Sequence, residues 1–343
     1  MTTGERAFRR STFALLFVAG LSSLAPALAT NSRAELEAVQ RDLLAWWPGE
    51  YDTLPQVTLE RELGTPPDGE HDRQYRVFAR VDVPHIGAHV IYGEVRSGGK
   101  RGTLIKGQQV LYIITIDEQH QAVNVTGRRI SDGANFEQAH LYPEKLKTIT
   151  LDPNYGGNCD FRFRRYGREL RGWLANRGED AQACTMVSKN SGQTMTWDAD
   201  WMIGPDAIWV FDNGYMKDPA KPQELGRLFA GRDDLTHERL YKGRDFACAF
   251  RPAGGSAARP VSAVVHDRGG EFDVPVAGSG TAFARLLRRE RAAAAPVFIE
   301  QVLTLAVLEP GRTEAVASAV AADRASSIAL KYPAGSISCR QQR

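Results

Sequence analysis

Polar side chains share a face with one another on two strand-like runs of this sequence. In Asp160–Tyr166, successive side chains alternate between the two faces of a strand. One face carries two phenylalanines, and the other carries one acid, two arginines and one tyrosine. Those four residues are Asp160, Arg162, Arg164 and Tyr166. The same alternation in Val90–Arg96 places Tyr92 and Glu94 on one face. Arginine pairs bidentately with carboxylates, so such faces suit a ligand that carries carboxylates.

These faces have two interpretations. Antiparallel sheets commonly keep one polar face in water, and an ordinary half-buried strand explains the pattern. Alternatively, the residues line a barrel interior together with Tyr112, which alternates with Leu111 and Ile113. An interior of aromatic groups, a few arginines and one carboxylate would bind an amphipathic small molecule.

Other catalytic signatures are missing from the sequence. It contains no Gly-x-Ser-x-Gly, no His-Glu-x-x-His, no phosphate loop and no Gly-x-Gly-x-x-Gly. His85 and His89 stand four residues apart, which on a helix would aim both rings at one metal ion. The residues around them indicate a turn that enters a strand, where a rise of about 3.3 Å per residue separates the rings. We therefore predict no metal site.

The elements that position these residues are mainly strands. Residues 33–47 have helical spacing of apolar side chains, with Asn31 or Ser32 as the cap and Pro48-Gly49 as the stop. From about residue 50 to 248, roughly ten short runs of β-branched and aromatic residues alternate with turn formers. A helical insert is expected at 135–149. Hairpin-length connections favour an antiparallel sandwich or barrel.

The chain divides into four predicted segments. Residues 1–29 combine arginines, a short apolar run and Ala-Leu-Ala, which is typical of a secretory signal peptide. Residues 30–248 form the barrel domain, and the Pro/Gly/Ala-rich stretch 249–259 is the linker. Residues 260–343 form a small β-rich C-terminal domain, in which the alanine-rich run Ala315–Ala322 suggests a short helix. A periplasmic or secreted location follows.

The net charge of the chain argues against nucleic acid as a partner. The chain has 43 Lys+Arg and 41 Asp+Glu, and without residues 1–29 the formal charge falls to zero. A neutral chain lacks the basic surface that binds nucleic acid. After the signal peptide, the sequence has no apolar stretch of eighteen residues, so no transmembrane segment is expected.

The four cysteines indicate disulfide bonds if the protein is exported. No Cys-x-x-Cys occurs, and an even number in an oxidising compartment suggests two disulfides. Three pairings are possible, and buried free thiols are the competing interpretation. We favour Cys159–Cys184 between adjacent strands, which leaves Cys248–Cys339 to tie the C-terminal segment to the body.

Four short motifs occur in an order that resembles the CpcT/CpeT chromophore lyase family, over about residues 40–248. They are Trp47-Pro-Gly-Glu-Tyr-Asp-Thr-Leu-Pro-Gln56, Val90-Ile-Tyr-Gly-Glu94, Gln108-Gln-Val-Leu-Tyr112, and Gly157-Asn-Cys159-Asp-Phe with Cys184 downstream. The resemblance implies a lipocalin-like antiparallel β-barrel. It also implies binding of a linear tetrapyrrole (bilin) and its delivery to a cysteine of an acceptor protein.

The resemblance assigns roles to particular residues. Tyr92 and Glu94 match the Tyr-x-Glu segment of the family, and Gln109 and Tyr112 match the next one. Glu94 is then the expected catalytic group, through proton transfer. A bilin is the expected ligand, and no other cofactor is implied. The alternative is a non-catalytic envelope protein, structural or carrier, whose barrel is filled by its own side chains.

Overall fold

The fold is given by a computed structural model. It describes residues 32–153, 159–174, 184–187, 192–218, 220, 226–230, 237–254, 260–276, 281–292, 299–312 and 314–342. The predicted signal peptide 1–29, Gly157 and the linker residues 255–259 lie outside the described residues.

The predicted N-terminal helix is confirmed as α1 (Arg33–Trp46). Ser32 caps it, because its hydroxyl accepts from the Glu35 backbone N–H while the Glu35 carboxylate accepts from the Ser32 N–H. Its apolar face lies against strands of a barrel. The other helices are α2 (Leu54–Glu62) and α3 (Pro143–Leu146). The predicted insert at 135–149 consists only of α3 and short 3₁₀ turns.

Thirteen strands form the N-terminal sheet, and ten of them close into an antiparallel barrel. The strands are β1 (Gly49–Asp52), β2 (Gln74–Val81), β3 (Val90–Ser97), β4 (Thr103–Leu104), β5 (Val110–Asp117), β6 (Ala122–Arg129), β7 (Asp160–Tyr166), β8 (Glu169–Leu174), β9 (Thr185–Val187), β10 (Thr194–Ile203), β11 (Ala207–Met216), β12 (Arg227–Ala230) and β13 (Glu238–Lys242). The circuit runs β1-β2-β3-β5-β6-β7-β8-β10-β11-β13 and closes through β13 and β1. The predicted barrel of about ten strands is confirmed.

The interior of the barrel is identified by its core. Every strand of the circuit contributes alternate residues to one apolar cluster, among them Tyr51, Phe78, Ile91, Val125, Phe163, Leu170, Trp201, Val210 and Leu240. Leu43, Leu44 and Trp47, from the end of α1 and the residue after it, belong to the same cluster. The helix therefore closes one end of the barrel and fills the adjacent half of the interior.

Residues from 245 onward form a second core. The strands are β14 (Asp245–Pro252), β15 (Val261–His266), β16 (Arg268–Pro275), β17 (Thr281–Ala292), β18 (Ile299–Leu308), β19 (Ala317–Ala322), β20 (Ser327–Tyr332) and β21 (Gly335–Gln341). They make two four-stranded sheets, β15-β14-β21-β20 and β16-β17-β18-β19, which enclose one cluster of buried apolar residues. This β-rich C-terminal part is the predicted one. Its first strand starts before residue 249 and runs into the predicted linker.

The helix predicted over Ala315–Ala322 is wrong. That stretch contains β19, which pairs with β18 and alternates between half-buried and exposed residues. Alanine favours helices only weakly, and sheet pairing together with packing on the second core outweighs that preference.

Helix α2 lies where the two parts meet. It contacts β13 of the barrel and β16 and β17 of the C-terminal sheets. Beside it, Arg73 pairs with Asp52 at 2.9 Å and with Glu271 at 3.3 Å. The Asp52 side chain is fully buried, so this arginine joins the barrel to the C-terminal part through a shielded ion pair.

Both predicted disulfides are confirmed. Cys159–Cys184 joins segments of the barrel, and Cys248–Cys339 joins β14 to β21 at a directly opposed pair. Formed disulfides are consistent with an oxidising compartment. Within the described ranges, we find no helix that is both long and apolar enough to cross a membrane.

Candidate functional site

Three of the motif residues lie outside the barrel interior. On β3, Ile91 belongs to the interior cluster, so Tyr92 and Glu94 point to the outer side of the wall. Gly93 faces inward, because a Cβ there would approach the Tyr112 ring to 2.8 Å. Gln109 directly precedes Val110 of β5 and is also buried on the outer side, against Gly133. The expected interior lining by Tyr92, Glu94 and Gln109 is therefore corrected.

Glu94 is held on both of its oxygens. The Tyr92 hydroxyl donates to Oε2 at 2.6 Å, and the Gln138 backbone N–H donates to the same oxygen at 2.8 Å. Arg96 Nε donates to Oε1 at 3.0 Å. Glu94 is 1 % exposed, so this is a buried and fully hydrogen-bonded carboxylate.

Residues 136–140 lie over Tyr92, Glu94 and Arg96, and we call them the cover; contacts with these three side chains bind the cover to the barrel wall. His140 stacks on Tyr92 with ring centroids 5.5 Å apart, and Glu137 contacts the guanidinium of Arg96. Burial lowers the pKa of His140, which favours its neutral form. Burial, followed by the neighbouring Glu94, raises the pKa of Tyr92 above its ordinary value. The cluster fixes the cover to the barrel, and that is a structural role.

The polar face of β7 also lies outside. Phe163 belongs to the interior cluster and Phe161 packs against it, so Arg162 and Arg164 face outward. Arg164 donates to the Gln121 carbonyl oxygen at 3.1 Å. Tyr166 is 60 % exposed. The half-buried strand, and not the interior lining, describes this face.

Tyr112 does face the interior, in its packed half. Its ring centroid lies 4.8 Å from that of Trp47, which also contacts Phe78 at 5.5 Å and Trp201 at 5.7 Å. Trp47 is 1 % exposed, so this half of the barrel is filled by the protein's own aromatic side chains.

The other half of the interior carries charge. Ile208 and Val210 of β11 belong to the interior cluster, so Asp212, two positions further along, points to the same side of the strand. It also lies directly opposite Ala199 of the cluster on β10. Arg76 is in phase with the interior residue Phe78, and Glu238 with the interior residue Leu240. We call Arg76, Asp212 and Glu238 the lumen triad.

The lumen triad combines an ion pair with an acid whose side chain has no partner among the described residues. Arg76 contacts Glu238 directly and donates to the Gln74 side-chain oxygen at 2.9 Å. The Asp212 side chain makes no hydrogen bond or ion pair with any described residue, and it is exposed although its position on β11 directs it to the inner side of the wall. Three aromatic side chains that pack against the interior cluster are only partly buried. They are Tyr112, Phe161 and Trp197.

The enclosure alters the acidity of Asp212. Desolvation by the surrounding barrel wall raises its pKa to about 6. Arg76 opposes the shift, whereas the negative charges of Glu238 and Asp198 add to it. A carboxyl that titrates near neutral pH can bind a ligand N–H as the anion, or exchange a proton with it.

The lumen triad was missed because each member stands in a strand that otherwise looks ordinary. The sequence signal for such a residue is a charged side chain two or four positions from apolar interior residues of the same strand, as Asp212 is from Val210 and Ile208. The phase alone does not tell which side of the strand becomes the interior, since both sides of several strands are buried.

Comparison with known proteins leaves the family open. No protein-family model and no curated protein matches the chain. Among solved structures, the chain is similar to one titled "SeMet CRL Protein of Arabidopsis", at 16 % sequence identity and a TM-score of 0.40. The match covers 61 % of this chain and 97 % of that chain.

Proposed function

We propose that this protein is an exported β-barrel that binds an amphipathic small molecule of the linear tetrapyrrole class in the charged half of its lumen. The observation that carries the proposal is the lumen triad. Charged side chains seldom point into a barrel unless they are paired, and the Asp212 side chain makes no hydrogen bond or ion pair with any described residue. The predicted signal peptide and the two disulfides support a periplasmic or secreted location.

The triad and its aromatic neighbours fit the groups of such a ligand. A bilin has carboxylate side chains, which suit a guanidinium such as that of Arg76. Its pyrrole N–H groups suit the carboxylate of Asp212. Its flat conjugated system suits stacking on the partly buried aromatic side chains Phe161 and Trp197. The resemblance to chromophore lyases points to the same ligand class.

A lyase-like transfer of the ligand to a protein cysteine is the further part of this proposal. Glu94 is poorly placed for it, because both of its oxygens are occupied and the wall separates it from the lumen. Asp212 is the carboxylate that faces a bound molecule. We assign to it the proton exchange that the resemblance assigns to Glu94.

Titration with biliverdin, followed by visible absorption, tests the proposal. We expect a saturable spectral shift with one site per chain. Asp212→Asn and Arg76→Gln should each weaken binding about tenfold, which corresponds to one charged hydrogen bond. The control is Asp206→Asn, since the Asp206 side chain is exposed and pairs only loosely with Arg244. If biliverdin causes no spectral shift, the result favours the alternative, a non-catalytic envelope protein whose barrel is filled by its own side chains.

A further inference from the structure

Two exposed arginines at the α1 end of the barrel, Arg41 and Arg80, have no acidic partner among the described residues. Most arginines in the described part of the chain pair with a carboxylate, as Arg165 does with Asp42. The side chains of Arg41 and Arg80 make no ion pair or hydrogen bond with a residue in that part, and neither does the His89 ring beside them.

Arg41, Arg80 and His89 line one open pocket. It has a volume of about 440 Å³, and we call it the rim pocket. Its lining includes Gln40, Arg41, Leu44, Arg80, His89 and Ile116. Polar groups with positive charge stand beside two apolar side chains, so the pocket is amphipathic.

The fold brings these residues together from four elements. Arg41 and Leu44 lie on α1, Arg80 lies near the end of β2, His89 precedes β3, and Ile116 lies on β5. Since β2, β3 and β5 are hydrogen-bonded neighbours, their α1-side ends meet at one rim, across which α1 lies.

The charge of the pocket is not cancelled locally. The acid in the lining is Glu37, and it is already engaged by Arg33 at 2.9 Å. Arg33 is in turn shared with Glu118 at 2.5 Å. Among the described residues, no acid forms an ion pair with Arg41 or Arg80, so their positive charge is available to a ligand.

The rim pocket is separate from the lumen triad. None of the triad residues lines the rim pocket. Leu43 and Trp47, which follow Arg41 along the chain, are 0 % and 1 % exposed, and Trp47 packs against Phe78 and Trp201 in the barrel interior.

We infer that the rim pocket binds an oxyanion, a phosphate or carboxylate headgroup, that carries a short alkyl chain. Two guanidinium groups hydrogen-bond the headgroup, and Leu44 and Ile116 shield the first carbons of the chain. This second site is independent of the proposed tetrapyrrole binding.

Calorimetric titration of the purified protein tests the site, with octyl phosphate, octanoate and inorganic phosphate as probes, all below micelle formation. We expect saturable one-to-one binding of both amphiphiles and at least about tenfold weaker binding of inorganic phosphate. Arg41→Gln and Arg80→Gln should each weaken octyl phosphate binding about tenfold, and added salt should weaken it further. Arg312→Gln is the matched control, because Arg312 is exposed and pairs only with Glu309.

Several outcomes would overturn the inference. They are absence of binding in the wild type, unchanged affinity in the Arg41→Gln/Arg80→Gln double variant, and equal affinity for inorganic phosphate, which would indicate a plain phosphate site. Thermal melting checks that the variants fold. Asp212→Asn should leave octyl phosphate binding unchanged, and Arg80→Gln should leave the biliverdin titration unchanged. The two proposals can thus fail separately.

Discussion

The Tyr92 hydroxyl lies 2.6 Å from Oε2 of Glu94, on the outer side of the barrel wall and beneath a covering segment. A tyrosine and a glutamate in this arrangement resemble a catalytic pair in the sequence. In the folded chain they hold the cover to the wall. The position of the pair therefore separates the residues that carry the family resemblance from the residues that face the lumen.

Replacing Glu94 should damage stability and not ligand binding. Glu94→Gln leaves the guanidinium of Arg96 with a weaker buried partner, and we expect a loss of roughly 2 to 4 kcal/mol in the free energy of unfolding. Chemical denaturation measures it. Glu137→Gln is the control, because Glu137 contacts the same arginine from a half-exposed position and should cost less than about 1 kcal/mol. Loss of biliverdin binding in a folded Glu94→Gln protein would contradict this assignment.

Asp212→Asn should raise the melting temperature near neutral pH. The pKa of Asp212 is about 6 in the folded protein and near 3.8 when unfolded, so the folded state prefers the protonated acid. Ionisation therefore destabilises the wild type as the pH rises through 4 to 6, whereas asparagine has no charge to lose. We expect the variant to melt higher at pH 7, with the difference shrinking as the pH falls to 4. A difference that is independent of pH would refute the role of ionisation.

Removing Arg73 should loosen the contact between the barrel and the C-terminal sheets. Arg73→Met leaves the buried carboxylate of Asp52 without its cation, and the expected cost is about 3 kcal/mol. The control Arg61→Met removes an arginine that is 60 % exposed from its pair with Glu70, and it should cost less than about 1 kcal/mol. Urea melts compare the two. Equal costs would show that the Arg73 pair is not shielded from water.

The two disulfides should differ in what they contribute. Chain entropy predicts a larger loss for the longer loop, so replacing Cys248 and Cys339 by alanine, at a sequence separation of 91, should cost about 4 to 5 kcal/mol. The same change at Cys159 and Cys184, separated by 25 residues, should cost about 3 to 4 kcal/mol. Denaturation under non-reducing conditions measures both. The reverse order would indicate that folded-state packing outweighs loop length.

Local patterns predicted much of the fold. The capped amphipathic run became α1, and short alternating runs became the ten-strand barrel. Helix α2 was missed because the surrounding sequence is rich in strand formers and Pro55 looks like a turn residue, although proline fits the first turn of a helix. The site could not be predicted so well. On β3 both faces are buried, one by the core and one by the cover, so alternation there does not reveal the inner side.

The Cys248–Cys339 pair also sets an order of assembly. Its two strands are adjacent in the sheet, yet β21 is synthesised long after β14. The barrel strands β1 to β13 are all complete when β14 emerges, and they can close while β14 still lacks its neighbour. The C-terminal sheets can close only after their last strand, β21, has been synthesised. A formed Cys248–Cys339 disulfide therefore requires that the whole C-terminal segment is present and that β14 and β21 are paired in register.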